Sequence, residues 1–128
     1  IRKIVEHNRG RVLETTGDGV LAGFDGPARA VTAAIETSAA IRSIGLESRI
    51  GVHTGEVDLR GGGPGGIALH IANRVMSAAP DGAVYTSATV KDLVWGSGIE
   101  FMQRGEHELK GVPGQWTLYE VVGSETSS

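Results

Sequence analysis

The sequence predicts an α+β sandwich, a largely antiparallel sheet with packed helices, and three observations carry that expectation. Strand-like runs come as pairs around glycine-containing turns, at residues 11–24 and again at 100–122. Two segments between them, Ala28 to about Ile44 and Ile67 to about Ala79, place apolar residues at helical spacing. Helices fall at intervals among strands and several hairpins, which argues a largely antiparallel sheet.

Taken in order, Ile1, Ile4 and Val5 share one side of an amphipathic helix end, and Gly10 after Asn8-Arg9 is a natural exit residue. A chain that opens inside a helix is expected to be cut from something longer. Arg11–Thr16 and Val20–Phe24 flank Gly17-Asp18-Gly19 as a hairpin. Asp25-Gly26-Pro27 then opens a helix, with a capping residue ahead of a first-turn proline. Within that helix Arg29, Glu36 and Ser43 make a polar stripe, and Ala30, Val31, Ala34, Ile35, Ile41 and Ile44 fill the opposite arc. Gly45 ends it.

Ser48 to Leu59 reads as a strand with Ile50, Val52 and Thr54 on one face. A glycine-rich turn at Arg60–Gly66 leads into the second helix, where Ile67, Ile71 and Val75 lie four apart with Arg74 beside them. Pro80-Asp81-Gly82 breaks this helix. Ala83–Thr86 is a short strand, Ser87 caps a short helix through about Trp95, and two strands flank Lys110–Gly114. One domain is expected over residues 1–123, with 124–128 as a frayed, disordered tail.

A length of 128 residues suits one domain with a real core. A net charge of −3 points away from nucleic acid and from an anionic membrane surface as main partners. With no cysteine there is neither a disulfide framework nor a thiolate metal site, which suits a reducing cytoplasm, the expected location. No apolar run approaches the ~20 residues that span a bilayer, and the first residues lack a secretory pattern.

Three local features carry chemistry. Asp18 in its turn is placed to offer carboxylate oxygens to a hard cation, although an Asp-Gly pair also simply makes turns. The glycine-rich turn before Ile67 opens a helix whose amides could meet phosphate; it lacks a Gly-Lys-Ser/Thr ending, so Arg74 is the better anion ligand, or else a surface arginine. Lys110 in the last hairpin could reach a phosphate or stand in solvent. His7, His53 and His107 are not at metal-ligand spacing and read as structural or solvated.

Together these features resemble a family. Gly10–Phe24 is similar to the central hairpin of class III adenylate and guanylate cyclases, and Arg49–Val57 to their next strand. Gly65–Ala78 resembles their nucleotide-side helix, and Arg104–Gly111 their closing hairpin, with a bacterial, especially actinobacterial, flavour. The resemblance implies a ferredoxin-like, βαββαβ-type sandwich, here without its N-terminal strand. It also implies a nucleoside triphosphate substrate, two Mg²⁺ or Mn²⁺ ions and a head-to-tail homodimer with no nucleic acid or membrane partner. By position, Asp18 matches one of two metal-binding aspartates, the other lying on a strand upstream of residue 1. The 128 residues alone are therefore expected to hold an incomplete two-metal site and to be inactive. Arg74 matches the arginine that stabilises the reacting phosphates, Lys110 the lysine on the outer phosphates, and His70 falls where many members have a ribose-positioning asparagine.

For the base, guanylate-type members usually have a glutamate at the position of Glu14 and a cysteine or glycine at that of Gly63, whereas adenylate-type members have a lysine and an aspartate or threonine. Guanine offers N1–H and an N2 amine to a carboxylate, and adenine offers an unprotonated N1, so the pair favours GTP over ATP. Tyr85 stands either as a wall of the base pocket or as a tyrosine half-buried in the sheet. The resemblance thus implies cyclic GMP formation from GTP. An adenylate cyclase and a catalytically silent nucleotide-binding or dimerisation domain stand as the alternatives.

Overall fold

A computed structural model describes residues 1–15, 19–57 and 66–124. The elements run α1 (Arg2–His7), β1 (Arg11–Thr15), β2 (Val20–Gly23), α2 (Pro27–Ser43), β3 (Ile50–Val52), α3 (Ile67–Ala78), β4 (Val84–Ser87), α4 (Ala88–Leu93), β5 (Ile99–Glu108) and β6 (Gln115–Ser124). β1 and β2 form an antiparallel pair with Thr15 opposite Val20. The other four strands form a sheet in the order β3-β4-β6-β5, in which only the β3–β4 pair is parallel. The α+β class and the mainly antiparallel pairing agree with the sequence reading.

Alternation along β4 explains the layering. Ala83, before the strand, and Tyr85 join Ile71, Val75 and Ala79 of the α3 segment, with Leu109 and Leu118, in one core cluster. Val84 points the other way, packing with Val31 and Ala34 of α2, Val52 of β3, and Val90 and Val94 at α4. The sheet is thus covered on one face by α3 and on the other by α2 and α4. Gly51 of β3 faces α3 so closely that a Cβ there would run into the backbone at Ala72 and Met76. That contact brings the helix carrying His70 and Arg74 directly onto the strand.

Several local expectations change in detail. Gly10 does not supply the left-handed exit from α1; Arg9 takes it, at φ 63°. Gly10 is needed instead because a Cβ would collide with the Phe24 ring. The N-cap of α2 is Gly26, without a side-chain cap; Asp25 pairs with Arg29 at 2.7 Å, and that guanidinium holds its carboxyl below the usual carboxylate range. Ile44 and Ile67 were expected on apolar faces, but both sit at helix ends and are exposed. Of the strand expected over Ser48–Leu59, the described residues pair only over Ile50–Val52, because the neighbour β4 is itself four residues long; Asp58 and Leu59 lie outside the described residues. Ser124, assigned to the tail, pairs with Ile99 at the end of β6, and residues 125–128 lie outside the described residues. No helix among the described residues is long and apolar enough to cross a membrane.

Candidate functional site

The site is built where α3 meets the turn between β5 and β6. His70 lies in the first turn of α3 and Arg74 one turn later, so both project from the same side of the helix. His70 Nε2 is 2.8 Å from the Lys110 carbonyl oxygen. Since a carbonyl only accepts, Nε2 carries the proton in this bond. Gly111, at φ 81°, adopts a conformation that favours glycine, and a Cβ on it would stand 2.8 Å from the same Nε2. The turn is further held by Val112 N–H to Leu109 O at 2.9 Å and by Trp116 Nε1–H to Pro113 O at 3.2 Å. Leu109 anchors it, being 5 % exposed, whereas Lys110 is exposed.

Beside Lys110 lies an open depression of about 490 Å³, walled by Glu108 to Val112 with Gly114 and Gln115. Arg74 is half-buried, and its Nε is buried with no hydrogen-bond partner among the described residues. A buried guanidinium donor without a partner carries a desolvation cost. The structure therefore ties His70 to Lys110 directly and sets Arg74 on the same face of α3.

The remaining sequence-derived residues are more dispersed. Glu14 is exposed on β1, opposite Leu21 of β2, in the isolated chain. Tyr85 is 7 % exposed and belongs to the core cluster under α3. Asp18 and Gly63 lie outside the described residues. Among the described residues no group of three or more His, Asp or Glu side chains could hold a metal ion.

One cluster was not anticipated. His53 Nδ1 is 2.7 Å from Ser87 Oγ, and the His53 ring meets Trp116 edge-on at 5.9 Å between centroids. Ser87 sits at the N-cap position of α4 as expected, but its hydroxyl is used on His53 and makes no cap bond. Residues 53 and 87 are far apart in sequence; the register pairing Val52 with Thr86 makes them neighbours, and no motif signals it. His107 Nε2 likewise bonds the Arg104 carbonyl at 2.9 Å, a structural role.

Burial pushes the His53 pKa below its ordinary value of 6.5. The native state therefore keeps His53 neutral while the unfolded chain protonates it, so its contribution is present above about pH 6.5 and is lost as pH falls below that through the folded value. The melting temperature is expected to drop between pH 7.5 and 5.5, with a shallower drop in His53→Gln. Identical pH slopes for the two proteins would exclude His53 as the source.

No family model matches the sequence. The chain is 30 % identical over 121 residues to "Putative adenylate cyclase 3" of Rhizobium meliloti (strain 1021), a match over 88 % of the chain. It spans only 21 % of that protein's length. Among solved structures it superposes on an adenylate/guanylate cyclase/hydrolase from Silicibacter pomeroyi with a TM-score of 0.86 and 24 % identity, covering 95 % of this chain and 76 % of that one. It also superposes on the guanylate cyclase domain of RhGC from Catenaria anguillulae in complex with GTP, at TM-score 0.82 and 23 % identity, over 96 % of this chain and 78 % of that one. The chain thus has the fold of a class III adenylate/guanylate cyclase catalytic domain, the assignment its hairpin and helix motifs also carry.

Proposed function

We propose that the protein containing this chain converts GTP to 3′,5′-cyclic GMP and pyrophosphate at a homodimer interface. The observation that carries the reading is the junction of α3 with the β5–β6 turn, where Lys110 is anchored beside the helix face bearing the unpartnered Arg74 Nε. Two cations on one rigid junction suit a triphosphate.

In this reading the ribose 3′-hydroxyl gives up its proton to solvent as its oxygen attacks the α-phosphorus in line, the bond from that phosphorus to the bridging oxygen breaks, and pyrophosphate leaves with the negative charge. Lys110 holds the outer phosphates. Arg74 donates to oxygens whose charge grows in the transition state, so catalysis is mainly positioning and electrostatics. Glu14 accepts from guanine N1–H and N2, and Gly63 leaves room for O6. Tyr85 bounds the base side from within the core rather than by direct polar contact. These groups come from one subunit and Asp18 from the other, so the exposure of Glu14 in a single chain is what a shared cleft requires.

The donor chemistry at Asp18 fits a hard divalent cation, because a carboxylate supplies the oxygen ligands such ions take. Thr15 and Val20 close the hairpin on either side of the connection that contains Asp18. Two ions need a second carboxylate, which the reading assigns to an upstream strand of the parent protein. Bound Mg²⁺ or Mn²⁺ would lower the pKa of the 3′-hydroxyl and neutralise phosphate charge.

One finding favours ATP instead: the curated relative is named an adenylate cyclase. Incubating the full-length protein with GTP and with ATP in the presence of Mn²⁺ decides the matter. Cyclic GMP is the expected product. Cyclic AMP alone would defeat the guanine assignment, and no product from either would favour a silent nucleotide-binding domain.

A further inference from the structure

We infer that His70 is a positioning residue for Lys110 rather than a sugar ligand: its imidazole is a clasp that holds the β5–β6 turn against α3. The inference deepens the reading above and rests on Lys110 serving the triphosphate. Three features of the contact support it. The Nε2–H is committed to the Lys110 carbonyl at 2.8 Å, so it is not free to donate to a ribose oxygen. The next residue, Gly111, is at φ 81°, a conformation that favours glycine, and a Cβ on it would stand 2.8 Å from the same nitrogen and displace it. The imidazole and the glycine therefore fit each other as a pair. Finally, the Lys110 side chain is exposed and makes no hydrogen bond or ion pair among the described residues, so the region its ammonium can reach depends on where the backbone is held. The clasp fixes that backbone to the helix on which Arg74 sits one turn away. Both phosphate-directed cations then move as one body.

Side-chain reach separates the two roles. A glutamine amide nitrogen extends about as far as histidine Nε2, whereas an asparagine amide stops near the Nδ1 position. Glutamine at residue 70 should keep the clasp; asparagine, the residue suited to a ribose contact, should break it. In the full-length protein, inorganic tripolyphosphate is the discriminating probe, because it has no sugar. His70→Ala and His70→Asn are expected to weaken tripolyphosphate binding about five- to tenfold, the scale of one lost hydrogen bond. They should also speed hydrogen exchange of the Leu109–Trp116 segment by a similar factor, and His70→Gln should stay close to wild type in both measurements.

Wild-type tripolyphosphate affinity in His70→Asn and His70→Ala, with only the KM for GTP raised, would show a sugar contact and overturn the inference. Lys110→Ala serves as the control. If it weakens tripolyphosphate while the His70 variants do not, the clasp alone is wrong. If Lys110→Ala has no effect, the phosphate role of Lys110 fails, and the clasp's functional role fails with it.

Discussion

Arg74→Ala in the full-length protein is expected to lower kcat about 10²–10³-fold, the loss seen when one preorganised donor to a developing oxyanion is removed. The expectation rests on a specific imbalance: Arg74 Nε is buried without a hydrogen-bond partner among the described residues. Such a group stabilises a transition state more than a ground state if the charge it meets grows during reaction. The KM for the nucleotide should change far less than kcat. Arg74→Lys should recover little, because an ammonium on a flexible stem does not reproduce the planar fork of the guanidinium. Circular dichroism and melting temperature should stay close to wild type, since the packed side of α3 is made by Ala68, Ile71 and Val75. A loss of less than about threefold would remove Arg74 from the reacting phosphates, whatever the product.

The second large effect concerns the base. Glu14→Lys combined with Gly63→Asp is expected to shift the ratio of kcat/KM for GTP over ATP by about 10²-fold toward ATP, because guanine N1–H would then face an ammonium donor and guanine O6 a carboxylate acceptor, leaving those groups unpaired. Glu14 is exposed on β1 and belongs to neither core cluster of the described residues. The double exchange is needed because lysine at residue 14 addresses adenine N1 only, and aspartate at residue 63 is required to accept from the adenine amine. Cyclic GMP and cyclic AMP measured at matched substrate concentrations give the ratio. An unchanged ratio in an otherwise active variant would show that residues 14 and 63 do not read the base.

Much of the fold was legible in advance because it is local. The hairpin at residues 11–23, the long helix over Pro27–Ser43 and the break at Pro80-Asp81-Gly82 depend on spacing, proline and glycine within a few residues. Legibility fell at element ends. Ile44 and Ile67 satisfy the helical period yet face solvent, because the period says which side a residue lies on and not whether a neighbour covers that side. The same limit explains Asp25 and Ser87: a capping residue type was present, but a nearby guanidinium and a distant imidazole competed successfully for its oxygen.

The sequence by itself determined the α+β class and the order of elements, since these follow from short motifs and local pattern; it offered Arg74 and Lys110 as candidate anion ligands, and Glu14 entered through the resemblance to class III cyclases. Only the tertiary structure decided that His70 spends its Nε2–H on Lys110, that Gly111 lies against the same nitrogen, and that His53 and Ser87 meet. Those contacts span 34 and 40 residues of chain, and such pairings depend on strand register and helix packing, which no local window of sequence contains.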